Sequence, residues 1–185
     1  MGIFGRHPDK TEEFERVALG HISELLRVAT RTCGNREAAE DMVQETYMRA
    51  WKYWDKFEPG TNCRAWLYKI LFNVIRRRRG GTDASSISIE TPEIAAVLPF
   101  TPPTSLTAAV VESAFAKIPA DYRSALMLVA VEGFSYKETA EILQIPIGTV
   151  MSRLHRGREA MRRLLEAKSE PARGTKDTAR SGGAG

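Results

Sequence analysis

The sequence predicts an all-α protein of two small helical domains joined by a flexible linker, the second containing a helix-turn-helix. Three observations carry this. Apolar residues recur at helical spacing over residues 11–79 and again over 106–166, and neither stretch alternates as a half-buried strand does. Between them lies GGTDASSISIETPEIAAVLPFTPPTS, where Pro92, Pro99, Pro102 and Pro103 exclude a continuous helix. Finally, FSYKETAEILQIPIGTVMSRLHRGR reads as a short capped helix, a tight turn and a longer helix. So long a connector is unusual inside one compact domain, which favours two domains on a tether. The expected organisation is an N-terminal tail at 1–10, a first domain at 11–80 and a linker at 81–106. A second domain follows at 107–167, then a disordered tail at 168–185 that is rich in Gly, Ser, Ala and Pro.

Each element has a local reason. Asp9-x-x-Glu12 fits a capping box that opens a helix running to about Cys33, and Gly34 suits a left-handed stop. A second helix begins after Asn35 and carries Ala38 to Trp54. Pro59-Gly60 breaks the chain, and either Thr61 or Asn62 can cap a third helix that continues through Arg79. In the second block a helix spans 107–117, Pro119 interrupts, and another helix runs to Glu132, where Gly133 ends it. Ser135 and Glu138 form a further capping box, followed by the turn and a long helix from Ile147. Gln144 stands where such turns often place a glycine. A side chain in the left-handed conformation there costs on the order of 1 kcal/mol, unless the turn is built differently.

Composition narrows the classes of function. The chain has 185 residues and a net charge of +4, a lean towards an acidic partner such as nucleic acid or an anionic membrane surface. The N-terminal MGIFGRHPDK lacks a signal-peptide core, and no apolar run approaches the ~20 residues of a membrane span, so a cytoplasmic protein is expected. Cys33 and Cys63 lie far apart with no partner ligands, as two reduced structural thiols would. His7, His21 and His155 form no triad or ligand set by spacing. The chain is therefore expected to be no enzyme, with no catalytic residue, metal or cofactor.

The polar helix faces point to partners. In the last helix Val150, Leu154, Gly157, Met161 and Leu165 return to one side, and Thr149, Ser152 and Arg156 fall outside it, with Arg153 and His155 at the margin. Such a helix presents its first turns to the major groove, where Arg reads guanine and Ser or Thr bonds bases or phosphates. In NCRAWLYKILFNVIRRRR, Cys63, Leu67, Ile70 and Val74 share one side. Lys69, Asn73 and Arg76 share another, flanked by Trp66 and Phe72. Cations, rings and an amide together suit unstacked bases, although Trp66, Tyr68 and Phe72 also fit a core. The run Arg76–Arg79 adds a phosphate grip. In EAAEDMVQETYMRAW, Ala39, Val43, Ala50 and Trp54 line an inward side, while Asp41, Gln44, Glu45 and Met48 form an acidic outer one. That outer side suits a basic protein surface or plain solvent.

Taken together, AAEDMVQETYMRAWKYWDKFEPGTNCRAWLYKILFN and IPADYRSALMLVAVEGFSYKETAEILQIPIGTVMSRLHRGR resemble the extracytoplasmic-function (ECF) class of bacterial sigma factors of the sigma-70 superfamily. The resemblance implies a transcription initiation factor that binds core RNA polymerase and directs it to promoter DNA. It places Asp41, Gln44, Glu45 and Met48 on the polymerase-docking surface. It assigns Thr61, Asn62, Arg64, Trp66, Lys69, Asn73, Arg76 and Arg77 to the melted −10 strand. Thr149, Ser152, Arg153, His155 and Arg156 would read the −35 duplex. The acidic linker would thread towards the polymerase active-site and RNA-exit path, and an anti-sigma factor would hold the protein inactive. Met151 and Gln144 depart from the family pattern, which bears on the −35 preference. Two rivals remain at this point: a DNA-binding regulator with a sensory first block, and a recombinase with a helix-turn-helix tail. Tight duplex binding without polymerase would favour the first, and Mg²⁺-dependent DNA cleavage the second.

Overall fold

A computed structural model describes residues 10–80 and 107–169. The expected N-terminal tail, linker and most of the C-terminal tail lie outside the described residues, as does Asp9 of the first capping box. Among the described residues the chain is entirely helical. The first block comprises α1 (Lys10–Ala18), α2 (Ile22–Cys33), α3 (Arg36–Lys52) and α4 (Cys63–Arg78). The second comprises α5 (Ala108–Lys117), α6 (Ala120–Leu126), α7 (Tyr136–Leu143) and α8 (Ile147–Ser169).

The helix boundaries follow the caps. Gly34 takes φ +73° and its N–H bonds the Thr30 carbonyl, stopping α2. Asn35 then accepts from the Ala38 N–H to start α3, and Asn62 rather than Thr61 caps α4 through the Ala65 N–H. One expectation needs correction. The first helix is interrupted by a 3₁₀ turn at Leu19–His21 around Gly20, a residue that weakens helix interiors, and beside it the Tyr47 hydroxyl donates to the Ala18 carbonyl.

The first block closes on Leu25, Val28, Leu67, Leu71 and Val74 from α2 and α4, all buried. An aromatic cluster seals its α1 end. Phe14 meets Trp54 edge-on at 4.9 Å between ring centroids, and Trp54 stacks on Phe57 at 4.7 Å. In the second block Val150, Leu154, Gly157, Met161 and Leu165 are all buried along α8. A Cβ on Gly157 would lie 2.8 Å from Leu126 Cδ1 and 3.3 Å from Tyr122 Cβ, so a side chain there must displace the buried Leu126 methyl on α6. Gly157→Ala is expected to lose a net ~1–2 kcal/mol, overpacking outweighing the better helix propensity of alanine. An unchanged denaturant midpoint would show that α6 and α8 separate freely.

Two irregularities shape the second block. Gln144 adopts φ 56° and ψ 47°, so the helix-turn-helix makes its left-handed turn without glycine. After α6 the chain widens into a π turn at Met127–Val131, and the Glu132 N–H reaches back to the Met127 carbonyl. Together with Gly133 at φ +74°, this turn directs Glu132 inward. The two blocks do not stand apart. α7 packs on α4, α6 meets α2, and the Tyr68 and Phe134 rings join edge-on across the boundary at 5.0 Å.

Candidate nucleic-acid interface

On α8 one of the expected residues needs correction. His155 and Arg156 are exposed, and Thr149 and Ser152 are half-buried, with the Ser152 hydroxyl donating to the Thr149 carbonyl. Arg153, placed at the margin by helical phase, is instead buried, and its guanidinium pairs with Asp121 at 2.9 Å. One turn of helical phase cannot distinguish a groove-facing arginine from one that folds back onto a neighbouring helix. Arg153→Ala is therefore expected to cost about 1–2 kcal/mol of stability, Asp121 being exposed, and to leave base preference unchanged. A shifted preference at full stability would reverse that assignment.

The unit is well anchored. Ser135 accepts from the Glu138 N–H while the Glu138 carboxylate accepts from the Ser135 N–H and hydroxyl, a complete capping box. These hydrogen bonds, the backbone one foremost, hold the Glu138 carboxyl below its usual range. Because the folded group is the stronger acid, the stabilisation is present above the ordinary glutamate range and is lost as pH falls from there through the lowered folded value.

On α4 the expected residues divide. Lys69 and Arg77 are exposed, and Asn73 and Arg76 are half-buried. Thr61 is exposed, its hydroxyl donating to the Glu58 carbonyl, beside the capping Asn62. Trp66 is half-buried against Trp54 and Phe57 at 5.9 and 5.3 Å, so one side of its ring belongs to the aromatic cluster. Phe72 is buried and offers no stacking surface. Arg64 is engaged within the protein. Its Nε donates to Glu24, its Nη2 lies 2.6 Å from Glu132, and its guanidinium sits 4.3 Å over the Phe134 ring.

Glu132 was not singled out from the sequence. Its only signal there is a lone carboxylate closing the apolar run ALMLVAVEGF, which a helix end explains equally well.

On the outer side of α3 both carboxylates are paired, Asp41 with Arg78 at 3.4 Å. Asp41, Gln44 and Met48 are exposed, and Glu45 is half-buried in pairs with Arg49 and Arg78. Thr46 and Met42 join the expected inward residues in the core.

Both cysteines are free thiols. Burial pushes Cys63 up to about 11, and it raises Cys33 as well, beside the Met42 sulfur at 3.3 Å. Protonated thiols are poor nucleophiles, as structural residues would be. Among the described residues no His, Cys, Asp and Glu group could hold a metal, and no helix is long and apolar enough to cross a membrane.

Fold and site together define a helical protein with a helix-turn-helix and a separate cationic helix, the make-up of a DNA-binding protein. Residues 19–83 match sigma-70 region 2, and residues 109–161 match sigma-70 region 4. The ECF RNA polymerase sigma factor EcfG of Rhodopseudomonas palustris (strain TIE-1) is 36% identical over 180 residues, covering 92% of this chain and 95% of that protein. The ECF RNA polymerase sigma factor SigW of Bacillus subtilis (strain 168) is 33% identical over 76% of this chain and 82% of its own. Among solved structures, the sigma factor RpoE bound to the anti-sigma factor NepR from Bartonella quintana has a TM-score of 0.62 and 32% identity, covering 83% of this chain and 97% of that one. The chain belongs to the ECF RNA polymerase sigma factors, which are transcription initiation factors and not enzymes.

Proposed function

We propose that this chain docks on core RNA polymerase through the α3 side bearing Asp41, Gln44, Glu45 and Met48. On this reading its first domain (11–80) captures the melted −10 strand along α4, and its second (107–167) reads the −35 duplex with Thr149, Ser152, His155 and Arg156. The observation that carries the reading is the pairing of two chemically different cationic helices: one exposes Lys69 and Arg77, the other His155 and Arg156. Neither domain alone makes an extensive contact. Joint tethering to polymerase raises the effective concentration of the second contact once the first is made.

A cytoplasmic site of action follows from these partners. RpoE and CnrH relatives are held by anti-sigma factors, and control of this chain by such a regulator fits the same reading. A groove of about 730 Å³ between α2 and α5 has an apolar floor of Leu26, Val111 and Phe115 and a rim of Arg27 and Arg31, suited to an acidic amphipathic helix.

The test is transcription with purified core polymerase on a cognate promoter. In that assay Arg156→Ala is expected to change discrimination among upstream duplexes by ~1–3 kcal/mol. A uniform loss over all duplexes would make Arg156 a phosphate contact.

A further inference from the structure

The contact between the two domains uses the donors that the reading above gives to single-stranded DNA. Glu132 lies at the seam with a side chain only 2% exposed, yet three groups of the first domain converge on it. The Tyr68 hydroxyl donates at 2.9 Å, Arg64 Nη2 at 2.6 Å and Arg27 Nη2 at 3.1 Å. Arg64 Nη1 also donates to the Glu132 carbonyl at 3.1 Å. Further along, Asn62 Nδ2 reaches the Glu138 carboxylate at 3.4 Å. At the far end of α4, Arg76 donates to the Leu143 carbonyl and to Gln144 Oε1. Three residues assigned to the −10 strand are thus occupied by oxygen acceptors, two of them anionic carboxylates. An unpaired strand offers the same chemistry, phosphate oxygens and base carbonyls.

Beside apolar contacts such as Tyr68–Phe134, this seam carries a line of hydrogen bonds and ion pairs whose acceptors can be exchanged for the oxygens of another anion. The α3 side that faces polymerase is not part of it.

We propose that the second domain blocks the first: Glu132, Glu138 and the Leu143–Gln144 turn occupy the strand-capture face of α4, and the domains must part before DNA can be held. The proposal rests on the −10 assignment of α4. It makes docking on polymerase and release of the α4 face separable events, because the polymerase-facing side stays open while α4 is covered.

The experiment uses the full chain and two variants. Glu132→Gln removes the buried charge at nearly constant shape. Gln144→Gly removes the side-chain partner of Arg76 across the seam, leaving the Leu143 carbonyl, and relieves the left-handed side chain, so it should fold at least as well as the native chain. Small-angle scattering reads the separation of the domains, and fluorescence anisotropy reads binding of a labelled AT-rich single-stranded oligonucleotide. Both variants are expected to be more extended. Their binding should tighten by about tenfold, the factor recovered when a chain that is nine-tenths closed becomes fully open. Unchanged dimensions and unchanged binding in both variants would overturn the proposal. So would extended variants that bind the strand no better than the native chain. Association of the native chain with core polymerase, measured in parallel, decides the initiation-factor reading independently, since α3 lies outside the seam.

Discussion

Replacing both Lys69 and Arg76 with alanine is expected to cut promoter opening by about 30–150-fold, equivalent to roughly 2–3 kcal/mol, while leaving affinity for core polymerase within about twofold. The asymmetry follows from where the residues stand. Both lie on α4, whereas the carboxylates proposed to meet polymerase are on α3. Lys69 is exposed and takes no part in the seam, so Lys69→Ala alone tests the proposed strand contact. Arg76 also holds Gln144 and the Leu143 carbonyl, so its removal weakens the closed arrangement as well as the strand contact. The Arg76→Ala loss should therefore be smaller than that of a strand contact alone, and the Lys69→Ala loss should add to it. Permanganate footprinting of the melted region, beside a polymerase-binding titration, separates the steps. Equal loss of opening and of polymerase binding would remove α4 from strand capture.

The largest effect on stability is expected from Trp54→Ala, about 3–5 kcal/mol. Trp54 is 4% exposed and touches Phe14, Phe57 and Trp66, tying α1, the loop before α4 and α4 itself to the end of α3. Its removal leaves a cavity that three rings cannot fill without leaving their own contacts. Domains of this size have little stability to spare, so the first domain should be largely unfolded at physiological temperature. The second domain should retain its own melting transition, with its capping box and α8 packing intact. Calorimetry of the full chain would show this as two transitions where the native protein has coupled ones. A single unshifted transition would mean the cluster carries little of the stability.

Much of the fold was legible in the residues because it rests on local chemistry. The caps at Asn35, Asn62 and Ser135, the stop at Gly34 and the inward stripe of α8 each depend on positions a few residues apart. Gly157 was also readable, since helical phase alone placed it among Val150, Leu154 and Met161; that Leu126 and Tyr122 fill the space was not. The candidate site was legible as far as helical phase extends. Arg156 and Lys69 stand exposed on their expected faces, whereas Arg153, three positions before Arg156, turns to Asp121 on another helix. Trp66 stayed divided between core and surface because its neighbours Trp54 and Phe57 arrive from a loop whose path no periodicity describes.

The sequence by itself determined two helical blocks, their caps and turns, and which helix faces are cationic, acidic or apolar, because these follow from spacing and side-chain type. Only the tertiary structure decided that Glu132 lies buried among Arg27, Arg64 and Tyr68, and that α7 covers part of the α4 face. Those contacts join residues more than 60 positions apart. Whether a cation meets a carboxylate, a nucleic acid or water is set by what the folded chain brings beside it, and no local pattern encodes that.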